Sequence, residues 1–330
     1  MARREAPQLV VGITSRALFD LAEADRVFRE DGLAAYREHQ RRREAVLLAP
    51  GTALPLVRAL LRLNRRARSE LVRVVVISRN DADTGVRVFH SIAGHGLAID
   101  QAAFTGGREP WPYLASFRCN LFLSAEPGDV EAALGHGFPA ALVSAPPQDL
   151  AEDDAEEVRL AFDGDAVLFD HSSERIYQRH GLEAFQQRES ALADEPMEPG
   201  PFAPFLAALQ HIQSRFGEED APVRTALVTA RGAPAHLRVI NTLRAWGVRL
   251  DQSFFLAGED KAPVLEQFRP HIFFDDQRDH LDRARARTPS AQVLPSGDVQ
   301  LPLFSQALGA TDGRGEPTDE RGAATRHAAS

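Results

Sequence analysis

Cysteine is almost missing from this chain, with Cys119 the only one in 330 residues. A single thiol excludes an intrachain disulfide and a cysteine-built metal site, and it fits a reducing compartment. Cys119 itself reads as a small buried hydrophobe. A basic excess is missing too: 38 lysines and arginines face 47 aspartates and glutamates, for a formal net charge of −9. Nucleic-acid polymers are held by cations spread along phosphates, so a broad surface of that kind is excluded and only a local basic pocket for a small anion is left. Long hydrophobic runs are lacking as well. The stretch after the basic N-terminus, Leu9 to Ile13, is too short for a signal-peptide core or a bilayer span, which points to a cytoplasmic chain with no membrane partner. No histidine pair has helix-face metal spacing and no Gly-x-Ser-x-Gly elbow occurs, so zinc- and serine-hydrolase chemistry finds no support. Gly135-x-Gly137 follows the helical pattern Val130 to Leu134 and not a strand, so it reads as a helix end and not as a dinucleotide fingerprint.

What is present is 44% hydrophobic and 26% charged residues, an ordinary globular balance for one large domain or two medium ones. The chain is also written twice. Leu18-Phe19-Asp20 returns as Leu168-Phe169-Asp170, Gly32-Leu33 as Gly181-Leu182, Pro50-Gly51 as Pro199-Gly200, and Phe117-Arg118 as Phe268-Arg269. The near-constant spacing predicts an internal duplication, each copy long enough for a core of its own. Within each copy short apolar runs alternate with helical patterns, the mark of a parallel sheet with helices on both faces. The runs are Leu9 to Ile13, Arg73 to Ile77, Leu121 to Leu123 and Ala141 to Val143, then Leu160 to Phe162, Thr225 to Val228, Ile272 to Phe274 and Gln292 to Leu294. The expected fold is α/β: two tandem doubly wound, Rossmann-like units, with a small helical cap at about 170–222 in the second. The expected boundaries are 1–150, 151–304 and a disordered tail at 305–330.

Ligands in such sheets gather at the carboxyl ends of the strands. There the second copy places Asp163-Gly164-Asp165, then Thr229-Ala230-Arg231, then Lys261, then Asp275-Asp276. Paired carboxylates at a strand end repel one another unless a cation or a proton resolves them. Thr229 and the backbone after it suit an anion. Taken singly, each fragment also has a plain reading: a surface turn, a strand-end threonine, a solvated lysine. Their order along successive strands is what makes one constellation of them.

That order resembles the haloacid dehalogenase superfamily, whose motifs are DxDx[TV], Ser/Thr, Lys and an acidic loop. Ala161-Phe162-Asp163-Gly164-Asp165-Ala166-Val167, Val228-Thr229-Ala230-Arg231 and Ile272-Phe273-Phe274-Asp275-Asp276 look, with Thr14-Ser15-Arg16 in the first copy, like the cytosolic 5′-nucleotidase I family. The resemblance implies a magnesium-dependent hydrolysis of nucleoside 5′-monophosphates, AMP-like, through an aspartyl-phosphate. Asp163 would be the nucleophile and Asp165 the general acid and base, and Thr229, Ala230, Arg231 and Lys261 would hold the phosphate. Magnesium would fall to Asp163, Asp165, Asp275 and Asp276. The implied partner is the nucleoside monophosphate alone, and a homo-oligomer is compatible with it. Two alternatives stand beside it: a phosphatase of another small phosphometabolite such as a sugar phosphate, which would share every catalytic residue, and a non-catalytic nucleotide-binding regulator, which would lack one of the four motif residues and has the full set of Asp163, Asp165, Thr229, Lys261 and Asp275 against it.

Carried back through an offset of 150, Asp163 falls on Ile13 and Asp165 on Ser15, while Thr229 falls on Ser78 at an offset of 151. The first copy is therefore expected to hydrolyse nothing; its polar loops suit part of a substrate or an effector, and equally suit loops with no ligand or the cover of an interface.

Overall fold

A computed structural model describes residues 9–147, 156–217 and 220–295. The first half runs β1 (Leu9–Ile13), α1 (Ser15–Leu18), β2 (Phe19–Asp20), α2 (Ala22–Arg42), β3 (Ala49–Pro50), α3 (Leu54–Ala67), β4 (Val72–Ser78), α4 (Ala82–Gly94), β5 (Gln101–Phe104), α5 (Pro112–Phe117), β6 (Leu121–Ser124), α6 (Pro127–Gly135) and β7 (Ala140–Val143). The second half runs β8 (Val158–Phe162), α7 (Ser172–Ala191), α8 (Ala203–Gln213), β9 (Val223–Thr229), α9 (His236–Ala245), β10 (Gln252–Phe255), α10 (Ala262–Phe268), β11 (Ile272–Asp275), α11 (Arg278–Ala284) and β12 (Ser290–Gln292). The expected tail and the expected boundary at 150/151 lie outside the described residues.

Ten strands form one sheet in the order β10-β9-β8-β11-β12-β7-β6-β1-β4-β5. Every neighbouring pair is parallel except β12 with β7, where Ala291 faces Val143 and Gln292 faces Leu142 in antiparallel register. The order reads the same from either edge: an outer pair, a central first strand (β1 or β8), then two strands toward the middle. Because direction reverses only at β7–β12, the carboxyl ends of the two halves open on opposite edges of the sheet. The central strands β1 and β8 are buried at every residue, as expected of parallel strands covered on both faces, and each lies at the point where strand order reverses.

One apolar cluster runs through both halves on one face. It joins Leu56, Leu60 and Val88 of the first half to Leu160, Phe205 and Leu209 of the second, with Val143 and Ala291 at the seam. On the other face the halves keep separate clusters, Leu114 with Val130 and Leu134 in the first, and Leu265 with Phe273 and Leu281 in the second. α3 carries its apolar stripe on Leu56, Leu60 and Leu63, all fully buried, and Pro55 opens its first turn, where a missing N–H costs nothing. α8 falls inside the stretch expected as the cap, and it packs into this shared core with Phe205, Leu206, Leu209 and Ile212 buried.

Local features recur between the halves. α2 and α7 each kink at a glycine with positive φ, Gly32 (+83°) and Gly181 (+79°). Gly51 N–H donates to Leu18 O at 3.0 Å, and Gly200 N–H to Leu168 O at 2.8 Å. Arg87 donates to buried Gln40 on α2, and Arg238 to buried Glu189 on α7. Of the ten strands of this sheet, β5 and β10 are absent from the sequence reading; both are four-residue outer strands with no fully buried residue.

Candidate active site

Asp163 is the first residue beyond β8, and its N–H donates to Phe274 O of β11 at 2.8 Å, which locks the loop onto the neighbouring strand. Gly164 follows because a Cβ there would stand 3.3 Å from Thr229 Oγ1, so the loop and the end of β9 are in tight contact. Lys261, directly before α10, is 2% exposed and reaches across the strand ends. Its Nζ lies 2.8 Å from Asp163 Oδ1 and 2.7 Å from Asp275 Oδ2. Asp275 is fully buried, accepts the Gln277 N–H at 2.8 Å and stands 3.2 Å from His280 Nδ1.

The electrostatics follow from burial. Desolvation pushes the Asp163 carboxyl up to about 7 against the pull of Lys261, and Asp275 and Asp165 add repulsion. Asp276 is pushed up to about 8, by desolvation first and then by Asp163 and Asp275. Its Oδ1 is buried with no hydrogen-bond partner among the described residues. Asp275 goes the other way: hydrogen bonds and charge from His280 and Lys261 overcome its burial and hold it below the usual aspartate range. Burial opposes the Lys261 ammonium, but the two carboxylates outweigh it and raise its pKa. Asp163, Asp275 and His280 offer ligand atoms within 4.8 Å of one another. A buried set of acids with an orphaned carboxylate oxygen and one lysine carries excess negative charge, and oxygen donors of this kind suit a hard divalent cation.

The structure brings Asp163, Lys261 and Asp275 into direct contact, with Asp276 beside them. Thr229 is 1% exposed at the end of β9, and its Oγ1 accepts the Arg231 N–H at 3.2 Å. Ala230 is exposed, and its carbonyl accepts the Gly258 N–H at 2.9 Å. Arg231, expected on the phosphate, makes its bonds to neighbouring carboxylates. It donates to both oxygens of Asp165, at 2.8 and 2.6 Å, and to Glu189 of α7. Its guanidinium also lies 5.2 Å from the centre of the Phe185 ring. Such a fork fixes both the plane and the direction of a carboxylate.

Three residues of this site escaped the sequence reading. Glu189, fully buried, accepts from Arg231, from Arg238 at 3.0 Å and from Ser173 Oγ at 2.9 Å. His280 sits one helical turn beyond the acidic pair, a spacing that could have drawn notice beside Asp276. Arg238 anchors α9 to Glu189 and to the Glu195 carbonyl, and nothing in its sequence surroundings marks it.

The hydrogen bonds also correct the alignment of the two halves. Thr14 N–H donates to Leu123 O as Asp163 N–H donates to Phe274 O. Thr14 therefore stands in the place of Asp163, and Arg16 in that of Asp165; the single offset of 150 had put Ile13 and Ser15 there. Ser78 keeps the place of Thr229, and Ser124 takes that of Asp275.

Among the described residues no helix is long and apolar enough to cross a membrane. The family model for 5′-nucleotidases matches residues 1–299. Human cytosolic 5′-nucleotidase 1B is 38% identical over 288 residues, covering 84% of this chain and 47% of that protein, so the chain spans about half the length of this curated relative. A solved histidinol dehydrogenase from Elizabethkingia anophelis aligns over 87% of this chain and 52% of its own with 9% identity and a TM-score of 0.22, too loose a superposition to bear on the fold. The match along nearly the whole chain, together with the acid and lysine cluster at the strand ends of the second half, places this chain in the 5′-nucleotidase family.

Proposed function

We propose that the chain hydrolyses nucleoside 5′-monophosphates to nucleoside and inorganic phosphate through an aspartyl-phosphate on Asp163. The observation that carries this reading is the buried contact of Asp163 with Lys261 at the carboxyl end of β8, within a chain that belongs to this family. A carboxylate oxygen of Asp163 attacks the phosphorus, and the bond from phosphorus to the nucleoside 5′ oxygen breaks. Asp165 gives its proton to that leaving oxygen and then takes one from the water that attacks the phosphoryl-aspartate. The phosphorus–Asp163 bond breaks, phosphate departs and both carboxyls are restored. Arg231 holds Asp165 in one orientation through this cycle, and each carboxylate oxygen retains a second lone pair where the transferred proton can sit. Thr229 and Lys261 hold the phosphoryl oxygens, with the exposed Ala230 backbone beside them.

The orphaned Asp276 oxygen and the shared burial of Asp163 and Asp275 fit magnesium. Asp163, Asp275 and Asp276 would hold it, together with the backbone carbonyl of Asp165. When bound, the ion offsets the repulsion between these carboxylates and a dianionic phosphate.

The palindromic strand order, the paired glycine kinks and the matched Arg87–Gln40 and Arg238–Glu189 bonds support a tandem duplication with units near 1–150 and 151–304. Because α8 belongs to the core, the cap of the second unit reduces to α7 and its flanking loops. A cytoplasmic setting is in keeping with the human relative's name.

The test is phosphate release from a panel of nucleoside 5′-monophosphates and sugar phosphates, with magnesium, with EDTA, and for Asp163→Asn. Metal-dependent release from nucleotides that vanishes in the variant is expected. Release from sugar phosphates alone would retain the chemistry and overturn the substrate.

A further inference from the structure

The first half contains a cavity of about 840 Å³ at the carboxyl ends of β1, β4 and β6. It is the counterpart of the active-site cleft and opens on the opposite edge of the sheet. Its floor is made by Thr14, Ser15, Ser78, Asn80 and Ser124, each at least nine-tenths buried. Ser15 Oγ bonds Ser78 Oγ at 2.9 Å and Asn80 Oδ1 at 2.7 Å, so these groups are held in place. Thr14 Oγ1, in the place of the nucleophile, is buried with no hydrogen-bond partner among the described residues. A buried hydroxyl left unpaired costs free energy unless something else completes it.

We propose that this cavity binds a nucleoside phosphate and holds it unhydrolysed, without a metal. The charge difference between the two clefts carries the argument. In the second half Asp163, Asp165, Asp275 and Asp276 face Lys261 and Arg231, and a phosphate dianion entering that cluster needs a cation beside it. In the first half the matching places hold Thr14, Arg16, Ser124 and Ala125, so four carboxylates are replaced by two hydroxyls, a methyl and a guanidinium. The strand-end positions have lost their negative charge, and the acids that line the cavity further out, Asp25, Asp81, Glu126 and Asp129, are each paired with an arginine. Thr14 is a far weaker nucleophile than a carboxylate, and a guanidinium in the place of Asp165 cannot serve as general acid and base, so turnover is not expected.

Around the mouth the arginines already have partners: Arg79 pairs with Asp129 and Arg37 with Asp81. Arg29 pairs with Asp25. Arg16 follows directly on the floor residues Thr14 and Ser15, and its ion pairs are the longest of the four, 3.2 Å to Asp25 and 3.6 Å to Glu126, with its side chain 42% exposed. The nucleoside end of the ligand is argued from α2, where Phe28 and Leu33 line the cavity at 47% and 50% exposure. Tyr36 stands edge-on to Phe28 with ring centres 5.9 Å apart. A flat apolar base suits such a lip, while the phosphate meets the hydroxyl floor and Arg16. The choice of a nucleoside over another organic group rests on the proposed activity; the metal-independent phosphate site does not.

Calorimetric titration of AMP into the full-length Asp163→Asn protein in EDTA tests this, with inorganic phosphate and adenosine as separate probes. Saturable AMP binding is expected, displaced by inorganic phosphate and much weaker for adenosine. Arg16→Gln in the same background should weaken it by about tenfold or more, the usual scale for a charged hydrogen bond. Thr14→Val should weaken it too without lowering the melting temperature, since it removes an unpaired buried hydroxyl. In the otherwise native chain, Arg16→Gln should leave phosphate release at the other cleft intact. No binding in EDTA at millimolar AMP, affinity unchanged by Arg16→Gln, or equal affinity for adenosine would each overturn the site. Binding that persists in a protein inactive on every nucleotide would sink the proposed activity and leave this site standing.

Discussion

At the scale of single residues, the acidic cluster ties stability to pH with a definite sign. Asp163 and Asp276 have folded-state values raised to about 7 and about 8 from an ordinary 3.8. Between those limits the folded protein holds protons that the unfolded chain has released, so the stability these groups contribute is full below about pH 4 and is lost as pH rises toward 8. Without metal, the melting temperature should therefore carry a downward component through this window. Magnesium should raise it more at the alkaline end, where the carboxylates are charged, and Asp276→Asn should flatten the difference. A magnesium effect independent of pH, in scanning calorimetry with and without EDTA, would contradict this account. Glu189 poses a different case, because it is fully buried against Arg231 and Arg238. Removing one partner of a buried ion cluster strands the others, so Glu189→Ala should cost about 3 kcal/mol in urea unfolding. Freed from Glu189, Arg231 holds Asp165 less firmly, so Glu189→Gln should lower kcat with a smaller change in KM. The sequence announced the cluster of Asp163, Lys261 and Asp275 because strand ends are readable from apolar runs. It gave no sign of Glu189, since a glutamate in a polar helix reads as solvated until the fold buries it.

At the scale of elements, two glycines fix how each half begins. A Cβ on Gly200 would come within 2.4 Å of Phe169 O, and one on Gly51 within 2.8 Å of the Leu18 carbonyl carbon. Both contacts are with backbone, which cannot swing aside. Gly51→Ala and Gly200→Ala should each lower stability by about 1–3 kcal/mol, whereas Gly217→Ala, which meets nothing within 4 Å, should stay within about 0.5 kcal/mol. Denaturant midpoints for the three variants check this, and equal effects would deny the close approach. These glycines were visible beforehand as the Pro-Gly repeat, because the turn demands that residue. β5 and β10 were not picked out: Ala102-Ala103-Phe104 and Phe254-Phe255 are short apolar runs, but they sit on outer strands whose side chains stay partly exposed. The expected cap at about 170–222 took in α8, which lies in the core, for a related reason: periodicity locates a helix but does not say whether its apolar face meets the sheet or a ligand cleft.

At the scale of the whole molecule, repeats in the sequence suggested two units with a core each, and the sheet joins them more closely than that. The seam is short, with Ala291 facing Val143 and Gln292 facing Leu142, extended by Ser144 N–H donating to Ser290 O at 3.1 Å. Thr52 Oγ1 donates to Ser144 O at 2.7 Å, which ties the start of α3 to the same seam. Two strand pairings alone would make a weak joint, but the apolar cluster on one face passes across it without a break. Cutting the chain there would expose both an open strand edge and half of a continuous core, a combination that favours aggregation over independent folding. The intact protein should therefore unfold in a single calorimetric transition. Residues 156–295 expressed alone should be poorly soluble even though they hold Asp163, Asp165, Thr229, Lys261 and Asp275. Two separate transitions, or a soluble and active second half, would instead mean that the faces with separate clusters dominate and that the shared core adds little. The opposed clefts make the first result consequential: a ligand seated on the edge belonging to the first half would stabilise the same cooperative unit that positions Asp163 on the other edge.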